Sequence, residues 1–86
     1  MKDYHSDLIK LDVFNKKIGC FIKSKRKKMD ITGKDLGMML NVSQQQISRY
    51  ENGITKITVT LLNDILIILE TSWDEFLSYN GLSDKY

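Results

Sequence analysis

Apolar residues recur at intervals of three and four along most of the chain. Strand-type alternation never persists, so the pattern predicts an all-α fold. From Val13 to Lys28, steps of about 100° per residue gather Phe14, Ile18, Phe21 and Ile22 on one stripe, continued by Met29. Lys16, Lys17, Lys23, Lys27 and Lys28 fall opposite, Cys20 projects to that polar side, and Arg26 lies at the stripe's edge, where a charge needs a partner. Leu8 and Leu11 are in phase with the stripe. Residues 1–12 therefore form an N-terminal extension with two readings. Either one long helix runs from about Asp7 with Ser6 as its cap, or a short helix breaks near Asp12.

A second helix follows Thr32, which has capping-box spacing to Asp35; Leu36 and Leu40 point inward. Gly37 lies inside this helix, where Gly is about 1 kcal/mol worse than Ala, so another helix is expected to approach closely there. Asn41-Val42-Ser43 reads as a turn, because Asn accepts the left-handed conformation a helix end often needs. Ser43 and Gln46 give a second capping box, opening a third helix that stops at Asn52-Gly53. Thr58 caps a fourth helix over about Val59–Leu69, in which eight of eleven residues are apolar. Val59, Leu62, Ile65, Leu66 and Leu69 can face the domain. Leu61, Ile67 and Ile68 are then spare, either covered by the N-terminal segment or forming a dimer surface. Ser72 and Glu75 form a third capping box opening a fifth helix to about Tyr79, with Trp73, Phe76 and Leu77 closing the core. The reading is one domain over 13–79 with a flexible tail at 80–86.

A chain of 86 residues has room for one core and buries only about 60% of its unfolded surface, so dimerisation would usefully extend the core. Net charge is +2, but it is unevenly spread: residues 13–56 hold ten Lys/Arg against three Asp/Glu, residues 1–12 two against three, and residues 57–86 one against five. A basic middle between acidic flanks is an electrostatic footprint for nucleic acid. An acidic N-terminal segment does not suit a minor-groove arm, which would carry free Arg or Lys. The single cysteine allows no internal disulfide, and no apolar run resembles a signal peptide or reaches membrane-spanning length, so the expectation is a cytoplasmic protein without membrane contact.

The third helix carries the chemistry. With Gln44 at 0° on the wheel, Ser48, Gln45 and Arg49 follow within an arc of about 140°, Ile47 and Tyr50 fall on the core side, and Gln46 is at the border. Gln can bond both N6 and N7 of adenine, and Arg both O6 and N7 of guanine, in the major groove. A face meant only for water more often carries Glu and Lys. After it, Thr55 and Lys56 offer two groups for phosphate. One Cys and one His give no metal-ligand cluster, no Gly-rich phosphate loop is present, and Asp74 and Glu75 are accounted for by capping; no enzyme, metal or cofactor is expected.

The stretch LGMMLNVSQQQISRYENG closely resembles the helix-turn-helix of the Cro/phage-repressor (XRE) family, and the resemblance extends over about residues 17–77. It implies a five-helix, lambda-repressor-like domain that binds double-stranded operator DNA, usually as a homodimer. The family's base-contacting positions fall on Gln44, Gln45 and Arg49. Its phosphate contacts fall near Gly33 and Lys34 and on Asn52, Thr55 and Lys56; Ser43, Gln46 and Ser48 complete the expected DNA-facing set. The family's structural ion pair falls on Arg26 and Glu51. Departures are Gly37 for the usual Ala, Asn41 for the usual turn Gly, Gly33 for the usual Gln, and Met38 and Met39 where polar residues are common. The spelling ITGKDLG…SQQQISRYENG also resembles small regulators associated with fimbrial operons of enteric bacteria, which would imply control of adhesion or motility genes. A competing reading is an antitoxin-type module that uses the spare apolar surface of the fourth helix to neutralise a partner protein and autoregulates its operon.

Overall fold

The computed structural model describes the backbone of residues 4–81 and side chains from Asp12 onward. Five helices follow in order: α1 (Tyr4–Lys28), α2 (Gly33–Leu40), α3 (Gln44–Glu51), α4 (Val59–Ile68) and α5 (Trp73–Tyr79). No strand occurs among the described residues. The fold is the expected all-α, lambda-repressor-like arrangement.

Of the two readings for the N-terminal segment, the long helix is the one observed. α1 runs unbroken through Asp12, so Ser6 lies inside it rather than capping it. No Gly or Pro interrupts Tyr4–Ile18, and the apolar phase carries through, so nothing in the sequence forces a break. Residues 1–3 and 82–86 lie outside the described residues.

One core cluster joins all five elements: Ile18, Phe21 and Ile22 of α1, Leu36 of α2, Ile47 of α3, Leu62, Ile65 and Leu66 of α4 with its cap Leu69, and Phe76 of α5. The Phe21 ring meets Phe76 edge-on at 5.2 Å and Tyr79 at 4.8 Å, the offset geometry aromatic pairs prefer. Among the described residues the closest helix associations are α2 with α3 and α1 with α3.

Helices α1 to α4 end alike. In each, a residue one or two positions past the helix turns left-handed and the next N–H reaches back five residues: Ile31 to Arg26 O (3.1 Å), Val42 to Gly37 O (2.8 Å), Ile54 to Arg49 O (2.9 Å) and Thr71 to Leu66 O (2.9 Å). The left-handed residues are Asp30, Asn41, Gly53 and Glu70, so only one of the four is glycine. Asn41 was legible in advance; Asp30 and Glu70 were not.

Three expectations about apolar faces need correction. Val59 is 75% exposed instead of facing the core, because it occupies the first position of α4, before the helix reaches its neighbours. Trp73 is likewise the first residue of α5; it is 37% exposed, edge-on to Phe76, and its indole N–H donates to Asn63 Oδ1 at 3.0 Å. Of the spare residues of α4, only Ile67 is exposed, while Leu61 and Ile68 pack partly against the core. Asn80, assigned to the tail by sequence, caps α5 and is buried.

Candidate nucleic-acid interface

The site is assembled from the turn between α2 and α3 and from what fixes α3 in place. Thr32 caps α2 through a complete capping box: Asp35 N–H donates to Thr32 Oγ1 at 3.0 Å, and Thr32 N–H donates to Asp35 Oδ2 at 3.2 Å. Hydrogen bonding of the Asp35 carboxyl with Thr32, its hydroxyl first and its backbone N–H second, holds that carboxyl below its ordinary pKa. The box at α3 is only half formed. Ser43 Oγ accepts from Gln46 N–H at 3.0 Å, but the Gln46 side chain makes no reciprocal bond, and its amide has no partner among the described residues. The box at α5 is half formed for a different reason: Ser72 accepts from Glu75 N–H, while the Glu75 carboxylate pairs with Lys25.

Gly37 does mark a close approach, but of the α2–α3 turn rather than of another packed helix. A Cβ at Gly37 would lie 2.6 Å from Val42 O, so the turn backbone rests directly on α2. At the other end of α2, a Cβ at Gly33 would lie 3.8 Å from Gln44 Cγ and 3.9 Å from Ile47 Cγ2, which brings the N-termini of α2 and α3 side by side.

Two contacts lock α3 from behind. Ile47 is buried in the core. Glu51, 6% exposed, forms a two-pronged pair with Arg26: Nε donates to Oε2 at 2.7 Å and Nη2 to Oε1 at 3.0 Å, while Nη1 donates to Ile31 O at 2.9 Å. The bonds to Glu51 raise the Arg26 pKa, with burial opposing. The predicted partner for the charge at the edge of the stripe is therefore in place.

Sequence reasoning missed the third lock. Gly19 of α1 crosses the end of α3 so closely that a Cβ would lie 2.3 Å from Glu51 O and 2.5 Å from Tyr50 O. The signal was available: Gly19 sits mid-helix at the same propensity penalty as Gly37.

With its inner side fixed, α3 presents Gln44, Gln45, Ser48 and Arg49 outward, all exposed, with Gln46 half-buried at the border as the wheel placed it. Arg49 has no ion-pair partner among the described residues. Asn52 is exposed at the C-cap, and its amide donates to Ser48 O (2.9 Å) and Ser48 Oγ (3.3 Å), so it steadies the last turn. The following loop folds back: the Ile54 and Thr55 N–H groups both donate to Arg49 O, at 2.9 and 3.4 Å. Lys34 and Lys56 are exposed, Ser43 is exposed, and Gly33 and Thr55 are half-buried. The structure thus brings Gly33, Gln44, Ser48, Arg49, Asn52 and Thr55 around one short helix. Lys56 lies beyond it, beside Phe14 and Asn15 of α1.

Two short helices joined by a left-handed turn, the second held against a five-helix core with a polar outer face, define a helix-turn-helix domain. A family model described as "Helix-turn-helix" matches residues 22–76, well over half of the chain. The chain belongs to this helix-turn-helix family, of the XRE type, and with it to the DNA-binding transcriptional regulators. No curated protein and no solved structure gave a match. No helix among the described residues is long and apolar enough to cross a membrane, and no group of three or more candidate metal ligands occurs among them.

Proposed function

We propose that the chain acts as a homodimer on a roughly two-fold symmetric operator, with α3 of each copy in the major groove. Gln44, Gln45 and Arg49 read base edges. Lys34, Lys56, Thr55 and Asn52, with the N-terminus of α2 at Gly33, meet the phosphates, and Ser43, Gln46 and Ser48 line the rest of the contact. The observation that carries this reading is the division of α3. Ile47 is buried in the core and Glu51 is buried and bonded to Arg26, whereas Gln44, Gln45, Ser48 and Arg49 are exposed. Such a helix holds its donors and acceptors in fixed positions, which base readout requires. Its place of action is then the compartment that holds DNA, the cytoplasm, and it needs no cofactor and performs no catalysis. The fimbrial spelling favours adhesion or motility genes as targets.

Selection of bound duplexes from a random pool tests the proposal. Recovery of a consensus with two inverted half-sites about 34–36 Å apart, or a multiple of that, is expected. Recovery of no consensus at low salt would contradict it.

A second reading is supported by one observation. Met38 and Met39 at the end of α2 and Ile67 of α4 are all more than half exposed, and Met39 and Ile67 line the same surface hollow with Ile68. An apolar patch of this kind suits a protein partner. It serves either the homodimer, with Ile67 as the centre of the face expected at Leu61, Ile67 and Ile68, or an antitoxin-type complex. A partner encoded beside this gene that co-purifies with the chain would select the antitoxin reading. A monodisperse homodimer with no co-purifying partner would count against it.

A further inference from the structure

Ten Lys and Arg side chains lie between residues 13 and 56. Lys34, Arg49 and Lys56 belong to the contact proposed above, and Lys25 and Arg26 are paired with Glu75 and Glu51. The other five are Lys16, Lys17, Lys23, Lys27 and Lys28. All stand on α1, exposed and without an ion-pair partner among the described residues. Lys27 and Lys28 lie in the last turn, where positive charge suits the helix dipole. That leaves the charge of Lys16, Lys17 and Lys23 without a role.

These lysines do not share one face. Gly19 marks the side of α1 that rests on the end of α3, against Glu51 O and Tyr50 O. Measured from Gly19 at about 100° per residue, Lys23 stands about 40° round the helix and Lys16 about 60°, whereas Lys17 and Lys28 stand about 160° and 180° away. The core residues Ile18 and Ile22 lie on the other side of Gly19. Lys16 and Lys23 therefore border the α3 contact on the edge turned away from the core, as the outward face of α3 is. Lys16 also touches the loop after α3 directly. Gly53, left-handed at φ +71°, lies so close that a Cβ there would be 2.7 Å from Lys16 Cγ and 2.8 Å from Lys16 Cα. The stem of Lys16 thus crosses the loop between Asn52 and Thr55, two of the phosphate contacts proposed above. At the far end of the same helix, Arg26 Nη1 donates to Ile31 O, two residues before Gly33. α1 touches the segment after α3 and the segment leading into α2, with Lys16 at the first and Lys23 on the edge between them.

We propose that α1 is a third element of the DNA interface, in which Lys16 and Lys23 meet the phosphates of the strand that passes the end of α3. This rests on the reading of α3 as the DNA-facing helix. An ammonium on a flexible four-carbon stem meets a phosphate as a point charge, without fixed geometry. Both residues therefore add affinity and salt dependence but no base preference.

The test compares two double variants of the intact chain, Lys16→Gln with Lys23→Gln and Lys17→Gln with Lys28→Gln. Each removes two positive charges from the same helix, so any effect of net charge alone is equal in the two. Affinity for a selected operator and for a random-sequence duplex is measured across a range of salt. Each phosphate contact contributes about 0.9 to the slope of log affinity against log salt, so the Lys16, Lys23 variant should lose about 1.8 from it. Its deficit against the parent should shrink by roughly tenfold between about 50 and about 200 mM salt, equally on both duplexes. The Lys17, Lys28 variant should keep the parent slope, as should Lys16→Arg with Lys23→Arg. All four substituted lysines are exposed, and thermal unfolding of each variant should match the parent. An unchanged slope for the Lys16, Lys23 variant, or an equal loss in both glutamine variants, would overturn the proposal. If Arg49→Ala still relaxes base preference in that case, the reading of α3 stands and only the role of α1 falls. If Arg49→Ala leaves base preference intact while the Lys16, Lys23 variant loses slope, the base-reading role falls and the phosphate edge of α1 stands.

Discussion

Replacing Gly19 by Ala sets two effects of known size against each other. In a helix interior the change to Ala is worth about 1 kcal/mol of added stability from backbone propensity. At this position the new Cβ would sit 2.3 Å from Glu51 O, 2.5 Å from Tyr50 O and 2.6 Å from Glu51 C. All three are backbone atoms, so no side-chain rotation relieves the overlap. α1 must retreat by about 1 Å to restore contact distance, which weakens the packing of its neighbours against Ile47 and stretches the Arg26–Glu51 bonds. Overpacking of this kind costs typically about 1–3 kcal/mol, and backbone against backbone belongs at the upper end. The net expectation is a loss of about 2 kcal/mol, or a fall in melting temperature of roughly 8–16 °C for a domain of this size. Thermal unfolding followed by far-ultraviolet circular dichroism measures it. A melting temperature equal to or above that of the parent would show that the α1–α3 contact yields more easily than the geometry states, and the reasoning would be wrong.

Three further outcomes follow from the same coordinates. Glu51→Ala strands a mostly buried guanidinium with Ile31 O as its remaining partner and should lower stability by about 3–5 kcal/mol, with an Arg26→Met, Glu51→Leu double variant recovering most of it in urea unfolding. The depressed pKa of Asp35 makes its capping contribution fully present above the ordinary carboxylate pKa of about 4 and lost as pH falls through the lower folded value, so Asp35→Asn should flatten that part of the acid limb in unfolding midpoints measured from about pH 6 to pH 2. Gly33→Gln meets only ordinary contacts at its Cβ, so it should fold with stability within about 0.5 kcal/mol of the parent and tighten operator binding by adding an amide beside Gln44; weaker binding would show that the N-terminus of α2 does not face the DNA.

The interior of the fold was largely legible because it rests on local rules. Helical phase placed Ile18, Phe21, Ile22, Leu36 and Ile47 in the core, and the cap residues Thr32, Ser43, Thr58 and Ser72 each open the helix they were expected to open. The outward face of α3 followed from the same wheel. What escaped the sequence depends on distance between segments remote along the chain. Glu75 has the spacing to complete a capping box, yet Lys25 of α1 takes its carboxylate. Val59 and Trp73 fit an apolar stripe by phase, but each is the first residue of its helix and stays exposed, Trp73 with its indole N–H bonded to Asn63 of α4. Gly19 and Asn80 matter through close approach and burial that no periodicity encodes. The ends of α1 and α4 use Asp30 and Glu70 in the left-handed region, residue types that carry no stop signal.

The central claim is that α3 reads bases with Arg49 while Lys34 meets only phosphate. The most direct measurement is the affinity of the parent, Arg49→Ala and Lys34→Ala chains for a selected operator and for each of its single-base variants, at one fixed salt concentration. Arg49→Ala should lose about 1–3 kcal/mol on the selected site and become indifferent to the base at one position of each half-site, while Lys34→Ala should weaken every sequence by the same factor. An Arg49→Ala chain that loses affinity equally on all sequences, with the base preference intact, would contradict the account.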